Sequence, residues 1–381
     1  MADRRRAIAV ATTGRQDYGI LRSSLLLLEN DPRFDLRVWA GGMHLSATYG
    51  HTVDRVRADG FRNVVPLAFE PRGGVLEFSG ASIATDEAIS SNRPDAIVLL
   101  GDRTETLAIG TAAMLNNVPI VHLHGGEESE GAIDNVMRHA LTKMSHLHLV
   151  SHELHAKRVH QMGEPSGTVV VVGAAGLDNL FRDDLPDRAA LERHLSVALP
   201  DPIVVVTVHP TTLGGDPIAE VTAVARAMQE VDATYVVTQP NSDVGGERIR
   251  EFWLEWTRGR PRTVLVDALG EKNFWGVLKI ASAMLGNSSS GILEAPAAGL
   301  PVVNVGDRQK GRLRSAHIAD VAPDPMAIAA ALRAAIAPGA KARLTSEPAL
   351  YPKGPAAPRI VEAIARWKIP DPPRKKFEDL L

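Results

Sequence analysis

The chain contains no cysteine, which excludes disulfides, thiol nucleophiles and thiolate metal sites. It also lacks a strong charge of either sign: 42 basic against 45 acidic residues leave a net charge of -3. No general affinity for nucleic acid or an anionic membrane is implied, and any anion site must be local. No uncharged apolar run approaches membrane-spanning length. The opening MADRRRAIAVATTG is basic and then apolar, as in a signal peptide. Its apolar run is short and stops at Arg15, Gln16 and Asp17, so it reads as a first strand, and the cytoplasm is the expected compartment. No Gly-x-Gly-x-x-Gly follows that strand and no Walker sequence is present, so NAD and ATP lack support and no cofactor is expected. Metal is not expected either. His146 and His148 alternate on a strand and His152 and His155 lie three apart, but neither pair has an acidic or histidine partner at ligand spacing.

What is present is an ordinary soluble composition, 45% hydrophobic and 23% charged over 381 residues, enough for two domains with separate cores. Strand-like and helix-like stretches alternate. Ala7 to Ala11, Leu36 to Ala40, Asp95 to Leu100, Pro119 to His124, Leu147 to Val150 and Val169 to Val172 read as strands. Leu21 to Leu28, Asp86 to Asn92 and Leu107 to Leu115 read as helices between them. The segment from Ala174 to Pro202 reads as a connection, after which the pattern restarts. Ile203 to Val208, Tyr235 to Thr238, Val264 to Val266, Ala283 to Leu285 and Val302 to Val305 are the strands of the second half. The fold class expected is α/β, with two Rossmann-like doubly wound domains facing a cleft. The domains span 1–178 and 179–355. An amphipathic helix from Ala356 to Trp367 opens a tail, 356–381, in which Arg374, Lys375 and Lys376 read as a solvated charge run.

The stretch VHLHGGEESEGAIDNVMRHALTKMSHLHLV, 121–150, organises the first half. A strand breaks at Gly125-Gly126, runs through an acidic loop and enters a helix whose core face is Ile133, Val136, Met137, Ala140, Leu141 and Met144. Asp134 and Arg138 lie four apart on a different face. Polar residues cluster just after apolar strands: Arg15, His44, Asp102, His124, Glu127 and His209. In an open α/β sheet that end of the strands is where ligands bind. The segment Gly286 to Glu294, GNSSSGILE, can offer backbone N–H groups and hydroxyls to phosphate, or serve as an ordinary serine-rich helix cap. Arg308, Lys310, Arg312 and Arg314 can add positive charge nearby.

Taken in order, these motifs resemble the UDP-N-acetylglucosamine 2-epimerase family, in particular the hydrolysing type that opens sialic-acid and related nonulosonate pathways. The resemblance covers nearly the whole chain. It rests on Thr13-Gly14-Arg15, Gly42-Met43-His44, Gly101-Asp102-Arg103, His122 to Glu127, Ile133-Asp134 with Arg138-His139, Val208-His209-Pro210, Pro240-Asn241, Asn287 to Gly291 with Glu294, and Gly306 to Gly311. It implies the two-domain glycosyltransferase-B fold, a homodimer, and a last helix that returns to the first domain. It also implies elimination of UDP to a 2-acetamidoglucal, then hydration to a free N-acetylmannosamine-type sugar.

By the same resemblance Asp102, Asp134 and His209 match catalytic positions. Ser289, Ser290 and Gly291 match the diphosphate loop, with Arg15, His44, Arg138, Asn241 and Arg308 as further substrate contacts. Glu294 matches the ribose carboxylate, and Trp275 falls near the aromatic that stacks on uracil. The chain departs from the pattern at His124, where many members have glutamate, and the loop to Asp134 is one residue longer. The base or acid at that position can be His124, Glu127 or Glu128. Competing readings are a non-hydrolysing 2-epimerase, an epimerase for another UDP- or GDP-sugar, a glycosyltransferase of the same fold, and a sugar-nucleotide-binding regulator without catalysis. Asp102 and Asp134 weigh against the last, since a mere binder needs no carboxylates beside a diphosphate.

Overall fold

The computed structural model describes residues 4–128, 134–210, 217–240, 245–267, 269–344 and 350–379. The chain divides into two compact units, Met1–Asp178 with Tyr351–Leu381, and Asn179–Leu350. No described helix is long and apolar enough to cross a membrane.

In the first unit, β1 (Arg6–Thr12), β2 (Phe34–Gly41), β3 (Val64–Leu67), β4 (Ala96–Leu100), β5 (Ile120–Leu123), β6 (Leu147–Val150) and β7 (Val169–Val171) form one sheet in the order β3-β2-β1-β4-β5-β6-β7. Every pairing is parallel. Parallel strands are covered on both faces and so read as unbroken apolar runs. Accordingly Ile8 and Val10 of β1 point into one core with Leu36, Val38 and Val121, while Ala9 and Ala11 enter another with Trp39, Ile97 and Ile120.

The second unit repeats the plan. Its strands β8 (Ile203–Thr207), β9 (Thr234–Thr238), β10 (Thr263–Val266), β11 (Ala283–Gly286), β12 (Val302–Val305) and β13 (Ile318–Val321) are ordered β10-β9-β8-β11-β12-β13. The two doubly wound sheets agree with the expected fold class. Strand order reverses at β1/β4 in one unit and at β8/β11 in the other, and loops after these strands are where such sheets bind ligands. Two strands were not expected. β3 contains Pro66, and β13 is only half-buried. Both lie at sheet edges, where the two-sided apolar signature is lost.

The helix Ala357–Arg366 packs Ile360, Val361 and Ile364 into the first unit's core against the helix Arg15–Asn30. Both of its ends are held by earlier residues. The buried Asp178 carboxylate accepts from the Ala356 and Ala357 amides at 2.5 and 2.7 Å. Arg6 donates to the carbonyls of Ile364, Ala365 and Trp367 at 3.1, 2.9 and 2.9 Å. An acid at the start and a base at the end complement the helix dipole and satisfy its open backbone groups.

The solvated run expected near the end of the chain holds for Arg374 and Lys376, which are exposed, and fails for Lys375. Its ammonium lies 2.7 Å from the buried Glu164.

Asp178→Ala removes a capping carboxylate and should cost about 1–2 kcal/mol, read as a lower urea midpoint for the first unit. An unchanged midpoint would mean the cap adds nothing.

Candidate active site

The carboxyl ends of β4 and β5 and the helix Asp134–Met144 carry the first group of polar residues. β4 ends at Gly101-Asp102. Arg138, on the helix and only 6% exposed in its side chain, forms an ion pair with the Asp102 carboxylate. The same guanidinium donates to the Glu127 carbonyl and to Asn135 Oδ1, both at 3.0 Å. One buried arginine therefore fastens the β4 loop to the loop after β5. A second brace lies beneath it. His122 Nε2–H donates to the Gly101 carbonyl at 2.8 Å, and its Nδ1 faces the Thr142 hydroxyl at 3.2 Å. Burial holds the His122 pKa down at about 3, so it is a neutral strut.

His124 sits just past β5 with φ +64, the left-handed conformation that turns the chain into the glycine loop. Its Nε2 receives the Ala175 amide at 3.3 Å, so the proton of the neutral ring lies on Nδ1, which donates to Glu127 Oε1 at 2.7 Å. Burial opposes charge on His124, but the Glu127 carboxylate outweighs it and raises the imidazole pKa above 6.5. Burial likewise works to raise Glu127, yet His124 beside it and the Ser151 hydroxyl at 2.8 Å bring it down to about 2. Ser151 also lies 2.8 Å from His155 Nδ1. Because the hydroxyl hydrogen goes to Glu127, His155 must donate to the oxygen. His155 and Ser151 thus donate in relay toward Glu127, which also takes the His124 Nδ1 proton, so the network converges on the Glu127 carboxylate.

In the loop after β1, Asp17 accepts from the Thr13 and Gly14 amides at 2.5 and 2.8 Å. Burial raises its pKa, while these bonds and the charge of Arg103 oppose the rise. Arg15 is exposed on the first turn beside it. His44 differs from its expected role as a ligand contact. It is fully buried, and its nitrogens meet Thr12 Oγ1 at 3.0 Å and Thr52 Oγ1 at 2.8 Å. Desolvation lowers its pKa to about 4, so it is a neutral brace between loops. Asp134 is exposed at the first turn of its helix, and Ile133 lies outside the described residues.

In the second unit a buried asparagine plays the part that Arg138 plays in the first. Asn287 Oδ1 accepts the His209 amide at 2.7 Å, and its Nδ2 donates to the His209 carbonyl at 2.9 Å and to Glu220 at 2.8 Å. The loops after β8 and β11 are thereby stitched together. Gly286, with φ +134, permits this closeness, because a Cβ there would lie 2.0 Å from the Thr207 carbonyl oxygen. Arg308 joins the same knot, donating to the Pro210 and Asn287 carbonyls at 3.3 and 3.2 Å.

Ser289 is exposed and Ser290 half-buried. The Ser290 amide meets Ser288 Oγ at 3.3 Å and the Gly291 amide meets the Ser288 carbonyl at 3.0 Å, so those two N–H groups shape the turn itself. Burial raises the Glu294 pKa, with Arg312 and the Ser290 hydroxyl opposing. Trp275 is 3% exposed and offers no open ring face for stacking, whereas the adjacent Phe274 is half-buried. Asn241 lies outside the described residues.

The structure therefore brings together Asp102, His124, Glu127 and Arg138 in one unit, and His209 with Arg308 in the other. Sequence reasoning missed Asp17, Ser151, His155, Asn287 and Glu220 as organising residues. Asp17 carried a signal, an acid in the first turn of a helix opened by glycine. The bonds of Ser151 to Glu127 and of Asn287 to His209 and Glu220 join residues remote in sequence, and the four-residue spacing of Ser151 and His155 gives no hint of Glu127. Among the described residues no group of three or more histidine or acidic side chains could hold a metal ion.

The family profile described as UDP-N-acetylglucosamine 2-epimerase matches residues 27–365. A Legionella pneumophila protein, UDP-N,N'-diacetylbacillosamine 2-epimerase (hydrolyzing), is 37% identical over 337 residues, covering 87% of this chain and 89% of that protein. The Campylobacter jejuni GDP/UDP-N,N'-diacetylbacillosamine 2-epimerase (hydrolyzing) is 33% identical, covering 83% and 84%. The solved Neisseria meningitidis UDP-GlcNAc 2-epimerase, bound to UDP-GlcNAc, superposes with a TM-score of 0.75 over 94% of this chain and all of that one, at 15% identity. Likeness at that identity shows a shared fold.

The two residues of the second-unit knot should separate cleanly. Asn287→Ala breaks buried bonds and should cost about 1–3 kcal/mol of second-unit stability, seen in urea melts. His209→Ala removes a side chain while leaving those backbone bonds in place, so it should cost less stability than Asn287→Ala while nucleotide release from the substrate falls. Equal stability losses would place His209 in the scaffold only.

Proposed function

The chain belongs to the UDP-N-acetylglucosamine 2-epimerase family, and from that premise we propose that it hydrolyses a UDP-2-acetamido sugar with inversion at C2. Its preferred substrate on this reading is UDP-N,N'-diacetylbacillosamine, a 2,4-diacetamido sugar nucleotide. Support for the sugar comes from the names of the Legionella and Campylobacter relatives. Support for the chemistry comes from one observation above all: Arg138 binds the Asp102 carboxylate and the backbone of the loop that carries His124 and Glu127, so one guanidinium fixes these groups relative to one another.

The reaction needs a base for the C2 proton, a partner on the other face of C2, and cationic or hydrogen-bonding groups for the departing diphosphate. As the C2–H bond breaks, its electrons form C1=C2 and the C1–O bond passes its pair to UDP. Water then adds its oxygen to C1, and a proton returns to C2 from the opposite face. We assign His124 as the base; its one lone pair, on Nε2, leaves the 3.3 Å contact with the Ala175 amide to take the C2 proton. Glu127 is committed to His124 and Ser151, which suits an orienting carboxylate better than a mobile base. Asp102 serves the opposite face, and the exposed Asp134 assists as a further acid. Arg15, Ser289, Ser290, Glu294 and Arg308, with His209, serve the nucleotide end, and Phe274 replaces Trp275 as the aromatic for the base.

On this reading 1–178 handles the sugar, 179–355 holds the nucleotide, and the tail 356–381 completes the first domain. We further propose a cytoplasmic homodimer supplying a nonulosonate pathway of the sialic-acid class. The exposed Val75, Leu76, Ile83 and Leu115 on two neighbouring helices are a suitable dimer face.

A panel of UDP-diacetylbacillosamine, its GDP counterpart and UDP-N-acetylglucosamine in heavy water tests the reaction. The expected products are UDP and a free epimer with deuterium at C2, with the highest kcat/KM for the UDP-diacetamido sugar. A UDP-linked epimer would mean non-hydrolysing epimerisation. Full retention of the C2 hydrogen would sink elimination, and sugar transfer to an acceptor without C2 exchange would favour a glycosyltransferase.

The pH profile tests the base. A base must be unprotonated, so kcat/KM should rise with pH through a His124 pKa held above 6.5 by Glu127. Glu127→Gln leaves burial unopposed, and the limb should move to lower pH. His124→Ala should lower turnover by roughly 10²–10⁴-fold. A limb that stays in place in Glu127→Gln would remove Glu127 from this role.

A further inference from the structure

The helix Asp134–Met144 carries Arg138 at one end of its length and a dense set of contacts at the other. Its last carbonyls need partners from outside the helix. Ser145 supplies some: its hydroxyl donates to the Leu141 carbonyl at 2.7 Å and its amide to Thr142 at 3.1 Å. The rest come from the far end of the chain. Lys375 Nζ donates to the Lys143 carbonyl at 2.8 Å, approaches the Thr142 carbonyl at 3.4 Å and also binds the Ser145 carbonyl. A cation at a helix C-terminus also suits the dipole.

The ammonium is fixed in turn by Glu164, whose side chain is 1% exposed and takes Lys375 at 2.7 Å, Lys143 at 2.6 Å and His148 Nε2 at 2.9 Å. Neighbouring residues hold the segment down as well. The Glu378 amide donates to the Gly163 carbonyl at 3.0 Å, and His146 Nε2 lies 3.4 Å from the Pro373 carbonyl. The Phe377 ring lies flush on Gly163, where a Cβ would come within 2.4 Å of it.

We propose that 371–379 is a strap that sets the position of the helix Asp134–Met144 for catalysis, with Lys375 as its positioning residue. The route from strap to site is short and polar. Thr142, whose carbonyl faces Lys375, has its hydroxyl 3.0 Å from the Arg138 carbonyl and 3.2 Å from the unprotonated His122 Nδ1, and its one hydrogen is shared between these two acceptors. His122 holds the carbonyl of Gly101, the residue before Asp102. A helix that slips or frays at Thr142 shifts both members of the Arg138–Asp102 pair. Among the described residues the strap's contacts fall on Thr142, Lys143, Ser145, His146, Gly163 and Glu164, none of them assigned to the nucleotide, so its loss acts on turnover and spares substrate binding.

The proposal rests on Asp102 and Arg138 serving the reaction, and the test reads the strap separately from that assignment. Lys375→Met, Lys375→Arg, Phe377→Ala and truncation after Pro370 are compared with the full chain, well below the melting midpoint of each. Amide hydrogen exchange over 134–145 is measured beside kcat and KM. Lys375→Met and the truncation should speed exchange in that helix and lower kcat roughly ten- to a hundredfold, with KM within about twofold. Lys375→Arg should restore most of the kcat, and Phe377→Ala should fall between.

Unchanged exchange would overturn the strap. Faster exchange with wild-type kcat would overturn the positioning role. Failure of Lys375→Met, Phe377→Ala and the truncation to fold would overturn it too, because the segment would then support the whole unit. A full-length protein inactive on every sugar nucleotide would sink the functional reading and leave the exchange comparison standing.

Discussion

A buried guanidinium must have its hydrogen bonds met where water cannot meet them, and around Arg138 that requirement shapes the site. A charge removed from water without partners is severely destabilising. Arg138 solves this by drawing in the Asp102 carboxylate, the Glu127 carbonyl and Asn135. The loops after β4 and β5 are therefore not free to choose their conformations independently. Polar residues that would be costly singly become a rigid frame once they pair with one another. His122 and Thr142 extend the frame below it. The His124–Glu127–Ser151–His155 chain extends it to one side, with each proton position dictated by its neighbour.

The second unit meets the same need with a neutral residue. Asn287 offers both an acceptor and donors, and so can pair with the backbone of His209 as a strand neighbour would. An amide suits a place where two loops must be joined through their backbone without adding charge. Arginine suits the first unit, where its charge pairs with the Asp102 carboxylate. Preorganised polar groups of this kind do not have to reorient as charge develops during reaction.

How much of this the sequence disclosed depended on the range of the interaction. The central strands were legible because burial on both faces makes them unbroken apolar runs, as in Ile203 to Thr207. The edge strands β3 and β13 lack that signature. The polar residues after β1, β4, β5 and β8 were legible because turn residues follow the strand directly. Their orientation was not. His44 and Trp275 had the right chemistry in the right segment, yet one is enclosed by two threonines and the other by core side chains. Lys375 read as one of three like charges, because nothing local reveals that Glu164 lies beneath it. Residues such as Ser151, Asn287 and Glu220 act through partners tens of positions away, and a single sequence carries no trace of such pairings.

The helix Ala357–Arg366 is capped by Arg6, 358 positions earlier, and by Asp178. A ribosome releases the N-terminal part of a chain first, and contacts of long sequence separation close last. The whole second unit is therefore synthesised before the first can be finished. During that interval the apolar flank of the helix Arg15–Asn30, with Leu21 and Leu25, has no cover. The nascent first half therefore keeps apolar surface open for as long as synthesis of the second unit takes, which is the condition under which partly folded chains aggregate.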